Sequence, residues 1–152
     1  MPKSCFFIGH REAPESLLPI LAKEVERHFV EYGVSSFIVG HYGHFDRLAA
    51  RAVIEIKEKH DGISLTMLLP DPPAEKVIAL PKGFDGSVYP EGQESVPRRF
   101  AIVRANRWAI KQSDYLIIYA IHPGSNAMRF LEYARGQERN RKMAITQLRK
   151  RF

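Results

Sequence analysis

Residues 35–59, SSFIVGHYGHFDRLAARAVIEIKEK, decide the fold. The run SSFIV at 35–39 reads as a buried strand closed by Gly40. Leu48, Ala49, Ala52, Val53 and Ile56 then recur at helical spacing, with Arg47, Arg51, Glu55 and Lys59 off that stripe. The same step, a strand stopped by glycine and followed by an amphipathic helix, repeats on both sides. Upstream, SCFFI at 4–8 stops at Gly9. Leu17, Leu18, Leu21, Ala22, Val25 and Phe29 then mark a helix that Gly33 ends, with Pro14 and Pro19 tolerated near its start. Downstream, ISLTMLL at 63–69 is a third strand.

Six of the ten prolines fall within residues 70–97. Each removes a backbone donor, so this stretch is expected to be a long loop holding at most one short strand or helix, and to cover a site. A helix is expected from Val96–Pro97 to about Gln112, a strand in DYLIIYAI at 114–121, and a helix over Ser125–Arg135 with Ala127, Phe130, Leu131 and Ala134 inward and Gly136 as its stop. KMAIT at 142–146 is the expected last strand. Apolar runs without alternation mark strands buried on both faces. The expected fold class is therefore α/β: one Rossmann-like three-layer domain over 1–152, with a mainly parallel sheet and helices on both faces.

The chain of 152 residues suits one domain with a real core. A single cysteine, Cys5, excludes an intrachain disulfide and a cysteine zinc cage, and its place inside a strand makes it a packing residue. No apolar run is long enough for a membrane span or a signal peptide, so a cytoplasmic protein without a membrane partner is expected. Residues 135–152 hold seven Lys or Arg against one acid, which equals the whole net charge of +6, while residues 1–134 balance. A solvated, solubilising end is the favoured reading of this basic stretch, and a nucleic-acid arm is the other.

In open parallel sheets, ligands bind at the carboxyl ends of the strands. Those ends carry Gly9-His10-Arg11, Gly40-His41-Tyr42-Gly43-His44-Phe45-Asp46 and His122-Pro123-Gly124-Ser125-Asn126. Either glycine turn alone is explained by a tight strand-to-helix corner. Two such turns beside Arg11, Ser125 and Asn126 point to a phosphate-bearing ligand, whose charge the glycine amides and helix N-termini would meet. Asn106 has Ile102, Val103, Ala109 and Ile110 as its helical neighbours, so its amide needs a partner: a loop carbonyl or the ligand. Arg107 beside it could grip phosphate or pair with Asp46 or Glu91. His10, His41, His44 and His122 all fall at strand ends. With no acid cluster to complete a ligand set, a metal site is not expected, and the histidines are read as phosphate donors or a polar rim. Neither a Gly-x-Ser-x-Gly elbow nor a P-loop is present. No cofactor is expected.

CFFIGHRE at 5–12, FIVGHYGHFDRLAARAV at 37–53, YPEGQESVPRRFAI at 89–102, NRW at 106–108 and SDYLIIYAIHPGSNA at 113–127 together resemble the short bacterial and phage members of the SLOG superfamily. That Rossmann-like group includes the DNA-processing Smf/DprA proteins and the Lonely Guy (LOG) phosphoribohydrolases. The resemblance implies a nucleotide or nucleotide-derived ligand at the glycine turns, and self-association. It departs from the LOG enzymes at their Pro-Gly-Gly-x-Gly-Thr-x-x-Glu motif, where this chain has Pro123-Gly124-Ser125-Asn126-Ala127-Met128-Arg129-Phe130-Leu131, with Glu132 further along. The leading expectation is a domain that binds or senses a nucleotide-like phosphate ligand. The alternatives are a nucleotide N-glycosidase, with Asp46 or Glu132 as the carboxylate and Arg11 or Arg107 as the cation, and a single-stranded DNA-binding protein using the basic end.

Overall fold

The structure is a computed structural model that describes residues 2–72, 79–141 and 143–149. Six strands form one sheet: β1 (Lys3–Gly9), β2 (Val34–Val39), β3 (Ser64–Leu68), β4 (Gly86–Val88), β5 (Tyr115–Tyr119) and β6 (Ala144–Gln147). Their spatial order is β4-β3-β2-β1-β5-β6, and every neighbouring pair is parallel. The helices are α1 (Leu18–Tyr32), α2 (His44–Lys57), α3 (Arg98–Gln112) and α4 (Asn126–Asn140).

The chain winds outward from β1 through β2 and β3 to β4, then returns to β5 and β6 on the other side of β1. One core packs α1 and α2 against the sheet through Leu21, Val25, Leu48, Val53 and Phe37. The other packs α3 and α4 through Ala105, Ala109, Ile110, Phe130 and Leu131 against Phe6, Ile8, Leu116 and Ile118. Alternate residues of β1 and β5 thus feed opposite cores, as continuous apolar runs require. The fold is an α/β, Rossmann-like three-layer sandwich with an all-parallel sheet. No helix among the described residues is long and apolar enough to cross a membrane.

Two details depart from the sequence reading. Gly136 does not stop α4, which continues to Asn140. A mid-helix glycine costs only about 1 kcal/mol relative to alanine, and the Arg141 guanidinium ties this end of the helix down by donating to the Ile110 carbonyl at 2.7 Å and to Gln137 Oε1 at 3.3 Å. The basic end is also less of a tail than its sequence suggests, because Arg135 and Arg139 lie within α4.

The proline-rich stretch contains the edge strand β4 and a 3-10 turn at Gln93–Ser95. Asp85 pins it to β3: its carboxylate accepts the Leu65 N–H at 2.8 Å, and its own N–H donates to the Leu65 carbonyl. Farther on, Arg104 of α3 donates to Gln93 Oε1 and to the Glu91 carbonyl. Residues 73–78 of the expected cover, like Lys142 and residues 150–152 of the basic end, lie outside the described residues.

Candidate functional site

The carboxyl ends of β1, β2 and β3 open into a cavity of about 170 Å³. Its floor is Phe7, Ile8 and Gly9 of β1. One wall is Gly40, Tyr42, Gly43 and Asp46 from the turn into α2. The opposite wall is Ile102, Ala105 and Asn106 of α3 with Asn126, Ala127 and Phe130 of α4, and Arg11 and Pro70 also line the space. It lies beside the point where the strand order reverses, between β1 and β5.

Seven of the twelve residues singled out from the sequence meet here: Gly9, Arg11, Gly40, Gly43, Asp46, Asn106 and Asn126. The other five, His10, His41, Arg107, Gly124 and Ser125, do not line the cavity. Arg107 is exposed and turned toward α4, with its guanidinium 5.3 Å from the centre of the Tyr133 ring. Ser125 caps α4: its hydroxyl accepts the Met128 N–H at 3.1 Å and donates to the His122 carbonyl at 2.7 Å. Gly124 takes the left-handed φ of +76° that this turn needs. Of the proline-rich segment's described residues, Pro70 lines the cavity and Asp71 accepts from the Tyr42 hydroxyl at 3.4 Å.

The four histidines part into three neighbourhoods. His10 and His122 face each other with ring centres 4.5 Å apart. His41 packs on Tyr42 at 4.1 Å, and His44 Nε2 lies 3.4 Å from Glu15. The environment holds the His10 pKa below its usual value, through burial first and then through His122.

Close packing explains the glycines at the strand ends. A Cβ on Gly9 would lie 2.2 Å from the Phe45 ring, which crosses the end of β1 to stack on Tyr119 with 6.2 Å between centres. A Cβ on Gly43 would lie 2.8 Å from Arg11 Cα, where the His44 N–H donates to the Arg11 carbonyl at 2.8 Å. At Gly40 the same atom would meet Asp46 Oδ2 at 2.9 Å.

Asp46 is the third residue of α2, and its carboxylate reaches back to the N–H groups of Tyr42, at 3.1 Å, and Gly43. This is the reach-back half of a capping box. It also means that the amides of the 40–43 turn already meet a negative charge that belongs to the protein. Burial pushes the Asp46 pKa up to about 6, against the lowering effect of those two amides and of Arg47. At α4, by contrast, the first-turn amides of Asn126 and Ala127 have no acceptor within the helix.

Asn106 is half-buried, while Arg11 and Asn126 are exposed at the rim. The side chains of all three make no hydrogen bond or ion pair among the described residues. The sequence reading missed Tyr42 as a lining residue, and it missed the apolar lining of Phe7, Ile8 and Leu68. A strand-end position signals the latter; nothing in the spacing of Tyr42 distinguishes it from its neighbours. Comparison with protein-family models and with curated proteins yields no match.

Proposed function

We propose that the chain binds a nucleotide or nucleotide-derived phosphate ligand at this carboxyl edge, as its resemblance to SLOG domains implies. One observation carries the reading. Arg11, Asn106 and Asn126 converge from three separate segments on one cavity with their polar groups uncommitted. Polar groups that no protein partner occupies are free to exchange their water for a polar guest, so such a set is matched to one. The cavity is smaller than the roughly 300–1,000 Å³ of whole-ligand pockets, so it takes one end of a nucleotide, with the rest over the rim. Arg11 and the first turn of α4 suit the phosphate. Asp46, with Asn106 opposite, suits sugar hydroxyls, because its charge repels a phosphate.

A thermal-shift panel of nucleoside monophosphates against the matching nucleosides tests this reading. Stabilisation by the phosphates alone is expected. Equal stabilisation by both sets removes the phosphate from the proposal, and stabilisation by neither set removes the proposal.

Asp46 also favours a second reading, N-glycosidic cleavage. A carboxyl that titrates near 6 inside a cavity is poised for general acid or base work. Of the four residues considered for that role, Asp46 and Arg11 line the cavity, whereas Glu132 is exposed on α4 and Arg107 points to Tyr133. Chromatography for free base after incubation with nucleoside monophosphates separates an enzyme from a binding module.

A further inference from the structure

A second hollow adjoins the first. It is open, measures about 540 Å³, and shares Arg11, Tyr42 and Gly43 with the cavity. Beyond that shared edge lie Glu12, His44 and Arg47. The nucleotide reading leaves these groups unused.

Their chemistry is one-sided. Arg11 and Arg47 are both exposed, and neither makes an ion pair or side-chain hydrogen bond among the described residues. His44 adds a third basic group, while Glu12 is the one acid lining the hollow. Two further acids lie close by: Asp46, which holds the Tyr42 and Gly43 amides and attracts Arg47 from beyond ion-pair distance, and Glu15, 3.4 Å from His44 Nε2, whose two oxygens already receive Arg51 at 3.0 and 3.1 Å. Two guanidinium groups without an ion-pair partner, facing one concave surface against the single acid Glu12, leave that surface net positive and suited to an anion. Three amides at the entry to α2 are already engaged. The Tyr42 and Gly43 amides serve Asp46, and the His44 amide serves the Arg11 carbonyl. The Arg11, His44 and Arg47 side chains are the groups this hollow offers an anion.

The two hollows meet at Arg11. One end of a ligand in the cavity places its phosphate at Arg11, and a second phosphoryl group continuing past Gly43 comes under Arg47 and His44. A single phosphate leaves the second hollow empty and its charges unmet. We propose that the hollow of Arg11, His44 and Arg47 is a second anion subsite, and that the ligand carries a pyrophosphate group, as a nucleoside diphosphate or one of its esters does. This rests on the nucleotide reading for what fills the cavity, but not for what fills the hollow.

Titration calorimetry at constant ionic strength tests it with four probes: inorganic phosphate, inorganic pyrophosphate, AMP and ADP. The expected result is that pyrophosphate binds more tightly than phosphate, and ADP more tightly than AMP, each by about tenfold or more. Arg47→Ala, a change at an exposed position, should abolish the ADP advantage while AMP affinity stays within about threefold. Arg47→Lys should keep part of the advantage, because it keeps the charge and loses the fork. Equal affinity for AMP and ADP overturns the subsite while leaving the nucleotide reading in place. Equal weakening of both by Arg47→Ala overturns it too. Tight pyrophosphate binding with no gain from the nucleoside upholds the subsite and defeats the nucleotide reading. No binding of pyrophosphate or ADP overturns the subsite.

Discussion

His10 Nε2 accepts the Ile121 N–H at 2.9 Å, and the next amide, that of His122, lies 3.4 Å from the same nitrogen. One imidazole thus clasps the end of β1 to the end of β5, beside the cavity wall. The bond also fixes the proton on Nδ1, because a nitrogen facing two donors must keep its lone pair. His10 in this arrangement carries no Nε2 proton to offer a phosphate. Its pKa is lowered, so the folded protein releases a proton that the unfolded chain holds up to about pH 6.5. Stability from this group is complete at neutral pH and falls as pH drops below about 6.5 toward the lowered value. In nitrogen–proton correlation spectra, the amides of Ile121 and His122 should shift together over that window. Neither amide should titrate there in His10→Asn. Static amides in the native protein would show that the clasp does not titrate.

Gly9→Ala should destabilise the fold by about 1–3 kcal/mol, the usual cost of overpacking. The added methyl meets the Phe45 ring, which is buried and packed beside Tyr119. Phe45→Leu in the same chain should recover part of that loss, and chemical denaturation of the two single variants and the double variant measures the coupling. Additive effects would mean that the glycine serves something other than Phe45.

These residues show how much of the site could be read in advance. Strand ends and their glycines stand out in the sequence because SCFFI and SSFIV are apolar runs that stop abruptly. The sheet order turns those ends into a single edge. What the glycines do is a matter of three-dimensional approach: Phe45, Asp46 and Arg11 come against them from other segments. The helical environment of Asn106 was half legible. Ala109 and Ile110 are buried as the spacing implies, but Ile102 and Val103 are 41% and 37% exposed, so that side of the helix opens to the cavity and solvent. Summing charge along the chain placed the excess at the basic end. In space, α1 and α2 carry five cations and five acids, whereas α3 and α4 carry eight cations and two acids. Among the four helices the imbalance therefore lies on one face of the sheet, which position along the chain does not reveal.

Asp46 gives a pH dependence of opposite sign to that of His10. Its carboxyl titrates near 6 in the fold, against 3.8 for an ordinary aspartate, so the folded protein holds a proton that the unfolded chain has lost. Stability from this group therefore falls as pH rises from about 4 to about 6, by at most about 3 kcal/mol. Asp46→Asn should remove that fall. It should also weaken nucleotide binding if the carboxylate holds sugar hydroxyls, and weaken 2′,3′-dideoxy analogues much less. Denaturation midpoints at pH 4, 5, 6 and 7 for both proteins decide the first point. An unchanged profile in Asp46→Asn would assign the carboxyl an ordinary pKa.

Asn106 and Arg107, adjacent in sequence, should separate in function. Asn106 lines the cavity with its amide unbonded among the described residues, so Asn106→Ala removes no protein hydrogen bond. Its apo stability should stay within about 0.5 kcal/mol or rise slightly, since alanine is also the better helix former. Nucleotide affinity should drop about tenfold, the worth of one hydrogen bond to a polar guest. Arg107 lies outside the cavity against Tyr133. Arg107→Lys should therefore leave affinity unchanged and cost no more than the cation–π contact, about 0.5–1 kcal/mol at an exposed site. Thermal unfolding with calorimetric titration of both variants reads the two effects independently. A large loss of apo stability in Asn106→Ala with unchanged affinity would make Asn106 a scaffold residue, and a loss of affinity in Arg107→Lys would mean that its guanidinium leaves Tyr133 to meet the ligand.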